Sequence, residues 1–324
     1  VSVIVAVRNG RNTIGACLQS LVGQNYPMTA LQIIIVDDRS TDGTYDFLKE
    51  MHIRHSFLLL RNLTGNLYSS SKKAALQTAI AAARGELLLF TDADCTPPPN
   101  WIRSMTALFT EKVGLVAGFS PQLWGQGRWN GLLLCDSAAA AVVAAGTIGW
   151  GKGVTCAGRN LAYRRQAFDD VGGFAALPDT LSGDDDFILQ KIAAHPYWQI
   201  RYAFDPQTVV PARGPASLKA LLRQKRRHIS AGYNYSTGAK WGYGLFHLAN
   251  FALWLFALLG VTVKTFFLLP FAAKIGVDGV VLRCFVRRFD LLLKWRHIVL
   301  WQPLFLFYHI YAGISARLKP LEWN

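Results

Sequence analysis

Three clusters of carboxylates stand out in the sequence. The first is Asp92-Ala93-Asp94, directly after the apolar run Leu87-Leu88-Leu89-Phe90. Two carboxylates one residue apart at a strand end can share a hard cation such as Mg²⁺ or Mn²⁺, which takes oxygen ligands and keeps substrate phosphate in its shell. Taken alone, the pair also fits a structural turn. The second cluster, Asp37-Asp38, ends the run Ile33-Ile34-Ile35-Val36. Carboxylates there can accept hydrogen bonds from a base N–H or a ribose hydroxyl, while Asp42 in Thr41-Asp42-Gly43-Thr44 fits an ordinary helix cap. The third is Asp184-Asp185-Asp186, before the apolar segment 187–194. Acids favour a helix N-terminus. Three adjacent like charges also raise at least one pKa, which suits a general base.

The elements that must position these acids follow from the hydrophobic pattern. Residues 1–7, 33–36, 57–60, 87–90 and 113–118 form short β-branched or Leu-rich runs, separated by segments with helical spacing. Such alternation predicts an α/β domain with a mostly parallel, doubly wound sheet over about 118 residues. Ligands bind such sheets beyond the carboxyl ends of the strands, where Asp37, Asp38, Asp92 and Asp94 fall. The run opens in a strand pattern, with no signal peptide visible.

Charge divides the chain. Residues 1–210 carry 18 Lys and Arg against 17 Asp and Glu; residues 211–324 carry 16 against 3. The basic part is also apolar and aromatic, the composition of a segment facing anionic lipid rather than nucleic acid. Between Leu245 and Leu282 only Lys264, Lys274 and Asp278 are charged. That is too long for one span of about 20 residues and fits a helical hairpin turning near 262–265. The hairpin would bring the basic segments 213–227 and 283–297 to one side of a membrane. Residues 299–316 form a further uncharged run, a third span or an interfacial helix. The five cysteines (17, 95, 135, 156 and 284) are odd in number and lack a CxxC pair, which argues for reduced thiols. The expected organisation is a domain at 1–240, with halves 1–118 and 119–240, then membrane helices at 241–324.

In order along residues 1–230, these motifs resemble the inverting GT-A glycosyltransferases of family 2. The matching segments are Val1-Ser-Val-Ile-Val-Ala-Val-Arg8-Asn-Gly, Ile35-Val-Asp37-Asp38, Lys72-Lys73-Ala-Ala-Leu, Asp92-Ala-Asp94, Gly158-Arg-Asn160 with Val171-Gly-Gly-Phe, and Gly183-Asp184-Asp185-Asp186-Phe. Gln224-Lys-Arg-Arg227-His228 resembles the Gln-x-x-Arg-Trp motif of the membrane-attached branch, with His228 in place of Trp. Lys319-Pro-Leu-Glu-Trp323 resembles the end of membrane-anchored bacterial members.

The resemblance implies a UDP- or GDP-sugar donor and a divalent Mg or Mn ion on Asp94, with Asp92 reaching the ribose or the metal. Asp37 or Asp38 would hold the base, Lys72 would face the diphosphate, and Arg8 would join the nucleotide-sugar site. Asp184 aligns with the catalytic base, with Asp185 as runner-up. Gly158, Asn160, Gln224 and Arg227 would serve the acceptor or diphosphate. The implied acceptor is a membrane lipid, a lipid-linked group or a polysaccharide, and the implied location is the cytoplasmic face of a bacterial inner membrane. A nucleotidyltransferase and a non-catalytic nucleotide- or sugar-binding membrane protein are the competing classes. The first would call for a better phosphate loop than Val7-Arg-Asn-Gly; the second would tolerate loss of Asp184 and Asp185.

Overall fold

A computed structural model describes residues 1–62, 71–123, 129–180 and 182–318. The Lys319–Trp323 motif lies outside the described residues. The chain forms two compact units: residues 1–123 with 140–214, and residues 129–139 with 215–318. The helical unit thus starts before the boundary at 240 drawn from composition, and it takes in an earlier segment.

The first unit begins with β1 (Ser2–Val7), α1 (Ile14–Val22), β2 (Gln32–Asp37), α2 (Thr44–Arg54) and β3 (Leu58–Arg61). It continues with α3 (Ser71–Ala82), β4 (Leu87–Asp92), α4 (Trp101–Thr106), β5 (Val113–Gly118) and the two-residue β6 (Gln122–Leu123). Helix α5 (Asn130–Gly149) runs from the second unit back to the first, which is completed by β7 (Leu161–Arg164), α6 (Arg165–Asp170), α7 (Asp184–Ala194), β8 (Gln199–Ala203) and β9 (Ala212–Arg213).

The seven-stranded sheet has the order β3-β2-β1-β4-β7-β5-β8. All neighbours are parallel except β7, which runs antiparallel to both β4 and β5. Strands β1 and β2 are Val- and Ile-rich because helices cover both faces; Val3, Ile4, Val5, Ile34, Ile35 and Val36 are fully buried. Register fixes the site. Val7 pairs with Asp37, and Ala6 pairs with Asp92. The acids ending β2 and β4 therefore flank the end of β1 at one sheet edge. Because β7 is reversed, the segment entering it, 156–160, arrives at that same edge.

The second unit is helical: α8 (Leu218–Ala231), α9 (Thr237–Thr262), α10 (Leu268–Arg287) and α11 (Trp295–Leu318). The turn between α9 and α10 falls at 263–267, as the charge pattern predicts. Among the described residues, four helices are long and apolar enough to cross a membrane: 130–149, 237–262, 265–287 and 295–317. In the second and third of these, only 11% of the apolar window is buried. Their Leu, Phe and Val side chains therefore face outward, as lipid-facing helices do. The helix at 130–149 reads in the sequence only as a small-residue run. Its Asp136 is buried between Lys225 of α8, which ion-pairs with it, and Tyr308 of α11, which donates to it. All five cysteines are free.

Candidate active site

The loops after β1 and β2 are interlocked. Asn9 and Arg39 take left-handed backbone angles, φ 52° and 55°. Asn tolerates this conformation; Arg does so at a cost, a strain typical of ligand-facing turns. The Asn9 N–H donates to Ser40 Oγ at 2.9 Å, and the Thr41 N–H donates to Asn9 Oδ1 at 2.9 Å. Asp42 accepts the N–H groups of Arg11 and Thr44 at 3.1 Å each, the capping role expected of it.

This frame holds two buried carboxylates. Asp37 Oδ2 accepts the Ser40 N–H at 3.3 Å, with Arg61 Nε 4.0 Å away. Asp38 Oδ1 accepts from Arg39 Nε at 3.1 Å and Asn62 Nδ2 at 2.9 Å. Asp37 Oδ1 and Asp38 Oδ2 are buried with no hydrogen-bond partner among the described residues. Buried acceptors are normally satisfied, so two open ones at a strand end fit a ligand that brings N–H or O–H donors. Arg8 is exposed just beyond β1.

At the end of β4, Asp92 Oδ1 accepts from Lys72 Nζ at 2.6 Å. Asp94 presents its carboxylate to a cleft lined also by Asn12, Thr13, Thr96, Leu123 and Arg213. Crowding by the protein and then the neighbouring Asp92 push the Asp94 carboxyl above the usual range, while the Arg159 guanidinium opposes the shift. Arg159 is aimed by Ser120, donating from Nε to its Oγ at 2.7 Å and from Nη2 to its carbonyl at 2.8 Å. Two like charges strained against each other, one open to a cleft, suit a divalent cation. The donor set therefore fits Mg²⁺ or Mn²⁺ at Asp94, with Asp92 beside it.

The acidic triplet divides into two functions. Gly183 is the N-cap of α7, with φ 96°, and the three acids fill the first turn. Asp185 Oδ2 accepts the Gly158 N–H at 2.7 Å, and Asp186 Oδ1 accepts the Cys156 N–H at 2.9 Å. These two carboxylates clip the 156–158 segment to α7. Cys156 Sγ lies near both carboxylates, within 4.8 Å. Burial, and then the neighbouring Asp185 and Asp186 carboxylates, push that thiol well above its usual pKa.

Asp184 differs from its neighbours. It is 9% exposed, and burial raises its carboxyl to about 6; Lys73 opposes the rise and Asp185 adds to it. Lys73 Nζ lies 3.2 Å from Asp184 Oδ1, while Lys72 on the next position of α3 pairs with Asp92. Consecutive lysines thus reach the β4 acid pair and the raised carboxyl of α7, bringing the two clusters into one site.

Gly158 lies where expected, and a Cβ there would meet Asp185 Oδ2 at 2.6 Å. A glycine is needed for that approach. Asn160 is different: it is fully buried, and its side chain is occupied within the protein. Its Oδ1 accepts from Trp101 Nε1 at 2.9 Å, and its Nδ2 donates to the carbonyls of Phe119 and Thr208 at 2.8 and 2.7 Å. It ties β7 to the segments beside it and leaves no atom for an acceptor, which corrects its placement among the acceptor contacts. Gln224 and Arg227 lie on α8, in the helical unit. Lys73 and Arg159 carry charge into the site without having been singled out in the sequence. In the Lys72-Lys73 pair, successive side chains diverge by about 100°, which lets the two reach different partners.

A mixed sheet with this strand order, acids beyond β2 and β4 and a buried carboxyl on α7 defines the GT-A class. Among solved structures, the mannosyltransferase PcManGT from Pyrobaculum calidifontis, in complex with GDP-Man and Mn²⁺, shares the fold with a TM-score of 0.55 at 19% identity. The likeness covers 95% of this chain and 87% of that one. The model of the family described as glycosyl transferase family 2 matches residues 2–172, and the chain belongs to that family. It is 27% identical over 240 residues to a beta-monoglucosyldiacylglycerol synthase of Nostoc sp. (strain PCC 7120), covering 72% of this chain and 49% of that one. It is 27% identical over 224 residues to glycosyltransferase AglE of Haloferax volcanii, covering 66% and 67%. The chain thus spans about half the length of the first of these relatives.

Proposed function

We propose that this chain is a membrane-attached, inverting glycosyltransferase. It moves a sugar from a nucleoside-diphosphate sugar to a hydroxyl on a lipid, a lipid-linked group or a polysaccharide. The observation that carries this reading is the pair of adjacent lysines joining Asp92 at the β4 end to Asp184 on α7. Donor-side acids and a carboxyl raised into the range of a general base therefore belong to one site.

In this reading Asp37 and Asp38 accept hydrogen bonds from the base or ribose, and Arg8 and Lys72 favour the negative charge of the diphosphate. A divalent ion on Asp94 and Asp92 would supply charge stabilisation for the leaving diphosphate. Asp184 takes the proton of the acceptor hydroxyl as its oxygen attacks the anomeric carbon. The bond from that carbon to the diphosphate oxygen breaks, and its electron pair leaves with the nucleotide. One displacement inverts the anomeric centre. Asp185 and Gly158 hold the acceptor-side segment, and Gln224 and Arg227 on α8 contribute to acceptor or diphosphate binding. The outward-facing apolar helices and the basic segments around them support attachment to a membrane, with the catalytic unit on the cytoplasmic side. A relative named for a glucosylated diacylglycerol supports a lipid hydroxyl as acceptor.

The test is a screen of UDP- and GDP-sugars with the purified full chain and Mn²⁺, offering diacylglycerol in mixed micelles. Turnover that is lost on chelation and lost in Asp94→Asn is the expected result. Full activity of Asp94→Asn without added divalent ion would overturn the metal assignment. Full activity of Asp184→Asn would remove the base.

A further inference from the structure

Lys73 is an expensive residue to keep where it is. Its side chain is fully buried. It stands in the first turn of α3, where the helix dipole disfavours a cation. Lysine is almost never fully buried unless paired, and an apolar residue of similar length would fill the same space without desolvating a charge. What the ammonium gains is specific. Its Nζ lies 3.2 Å from Asp184 Oδ1 and donates to the Pro178 carbonyl at 3.1 Å, in the segment leading to α7. Asp184 Oδ1 is buried, and the Lys73 ammonium is the group that compensates it among the described residues.

We propose that Lys73 is the positioning residue of the base: its buried ammonium fixes the Asp184 carboxylate in the place and charge state that removal of the acceptor's proton requires. The inference rests on the reading of Asp184 as that base. Lys73 neither gives nor takes a proton in the step; the acceptor's proton moves to Asp184. The charged and titratable groups facing Asp184 are Lys72 and Lys73 from α3, Asp185 on α7 and the Tyr163 phenol on β7. Lys72 is engaged by Asp92 at 2.6 Å, and Asp185 opposes ionisation, which leaves Lys73 as the main group favouring the carboxylate. A role confined to packing would need the length of the side chain but not its charge.

The experiment compares the full chain with Lys73→Met, Lys73→Arg, Asp184→Asn and the double variant Lys73→Met/Asp184→Asn. The probes are UDP-glucose and GDP-mannose with Mn²⁺ and diacylglycerol in mixed micelles. Removing the cation beside a buried carboxylate raises its pKa by about 1–3 units. Lys73→Met should therefore move the acidic limb of the rate profile upward and lower kcat at pH 7 by about twofold for a one-unit rise and roughly a hundredfold for three. KM for the nucleotide-sugar should change little, and Lys73→Arg should restore part of kcat. Thermal unfolding supplies a second readout. The stability lost in Lys73→Met should be largest above the limb and recover as pH falls and Asp184 protonates; in the double variant the recovery should vanish. An unshifted rate limb, or a loss of stability that is independent of pH, would make Lys73 a packing residue and overturn the proposal. Full turnover by Asp184→Asn would instead overturn the assignment of the base, whatever Lys73→Met does.

Discussion

If Asp184 removes the acceptor's proton, the rate of transfer must carry its titration. An ordinary Asp carboxyl would be more than nine-tenths ionised at pH 5. With the carboxyl raised to about 6 by burial, about one-tenth is ionised at pH 5 and about nine-tenths at pH 7. The sign follows from the role, because only the ionised form accepts a proton. Transfer should therefore fall about tenfold from pH 7 to pH 5 and then about tenfold for each further unit. The assay is the initial rate at saturating donor, measured from about pH 5 to 8 with metal in excess. Nucleotide affinity must be followed across the same range by an independent binding measurement, so that loss of donor is not mistaken for loss of the base. Asp184→Asn should lower the plateau by roughly 10²–10⁴-fold and abolish the limb. A rate that stays flat from pH 5 to 7 while donor binding is intact would refute this account of Asp184.

Three further outcomes follow from the geometry. Gly158→Ala places a methyl 2.6 Å from Asp185 Oδ2 and should break the clip on the 156–158 segment, lowering kcat while UDP binding by calorimetry persists. Asn160→Ala leaves the Trp101 indole N–H and two carbonyls unsatisfied in the interior. It should cost about 2–4 kcal/mol of stability, read as a drop in the denaturant midpoint, so its loss of activity should track unfolding. The full chain should need detergent and should bind vesicles containing anionic lipid more tightly than neutral ones, with salt weakening the difference; monodisperse behaviour without detergent would contradict membrane attachment.

Much of the first unit was legible because buried parallel strands leave uninterrupted apolar runs. Four of the five predicted strands fall within a residue of their observed positions, and the expected α9–α10 hairpin turns where the charge pattern places it. Strand β7 was not legible. Leu161-Ala-Tyr-Arg164 is four residues long and flanked by a polar turn and a helix, so no period marks it. Its reversed direction is set by its partners β4 and β5, which sequence separation hides. Asn160 was misplaced because a buried amide that satisfies three interior groups reads like an exposed polar residue in a motif. The role of Lys73 is hidden in the sequence because its burial depends on Asp184, more than 100 positions away in the chain.

The Asp136 contacts bear on how the chain is made. Lys225 lies 89 residues after Asp136, and Tyr308 lies 172 residues after it. At a synthesis rate of about 5–20 residues per second, the last partner emerges roughly 10–35 s after the acid itself. Until then Asp136 does not have both of the partners that compensate it in the folded chain, so α5 reaches its buried setting only with α8 and α11 in place.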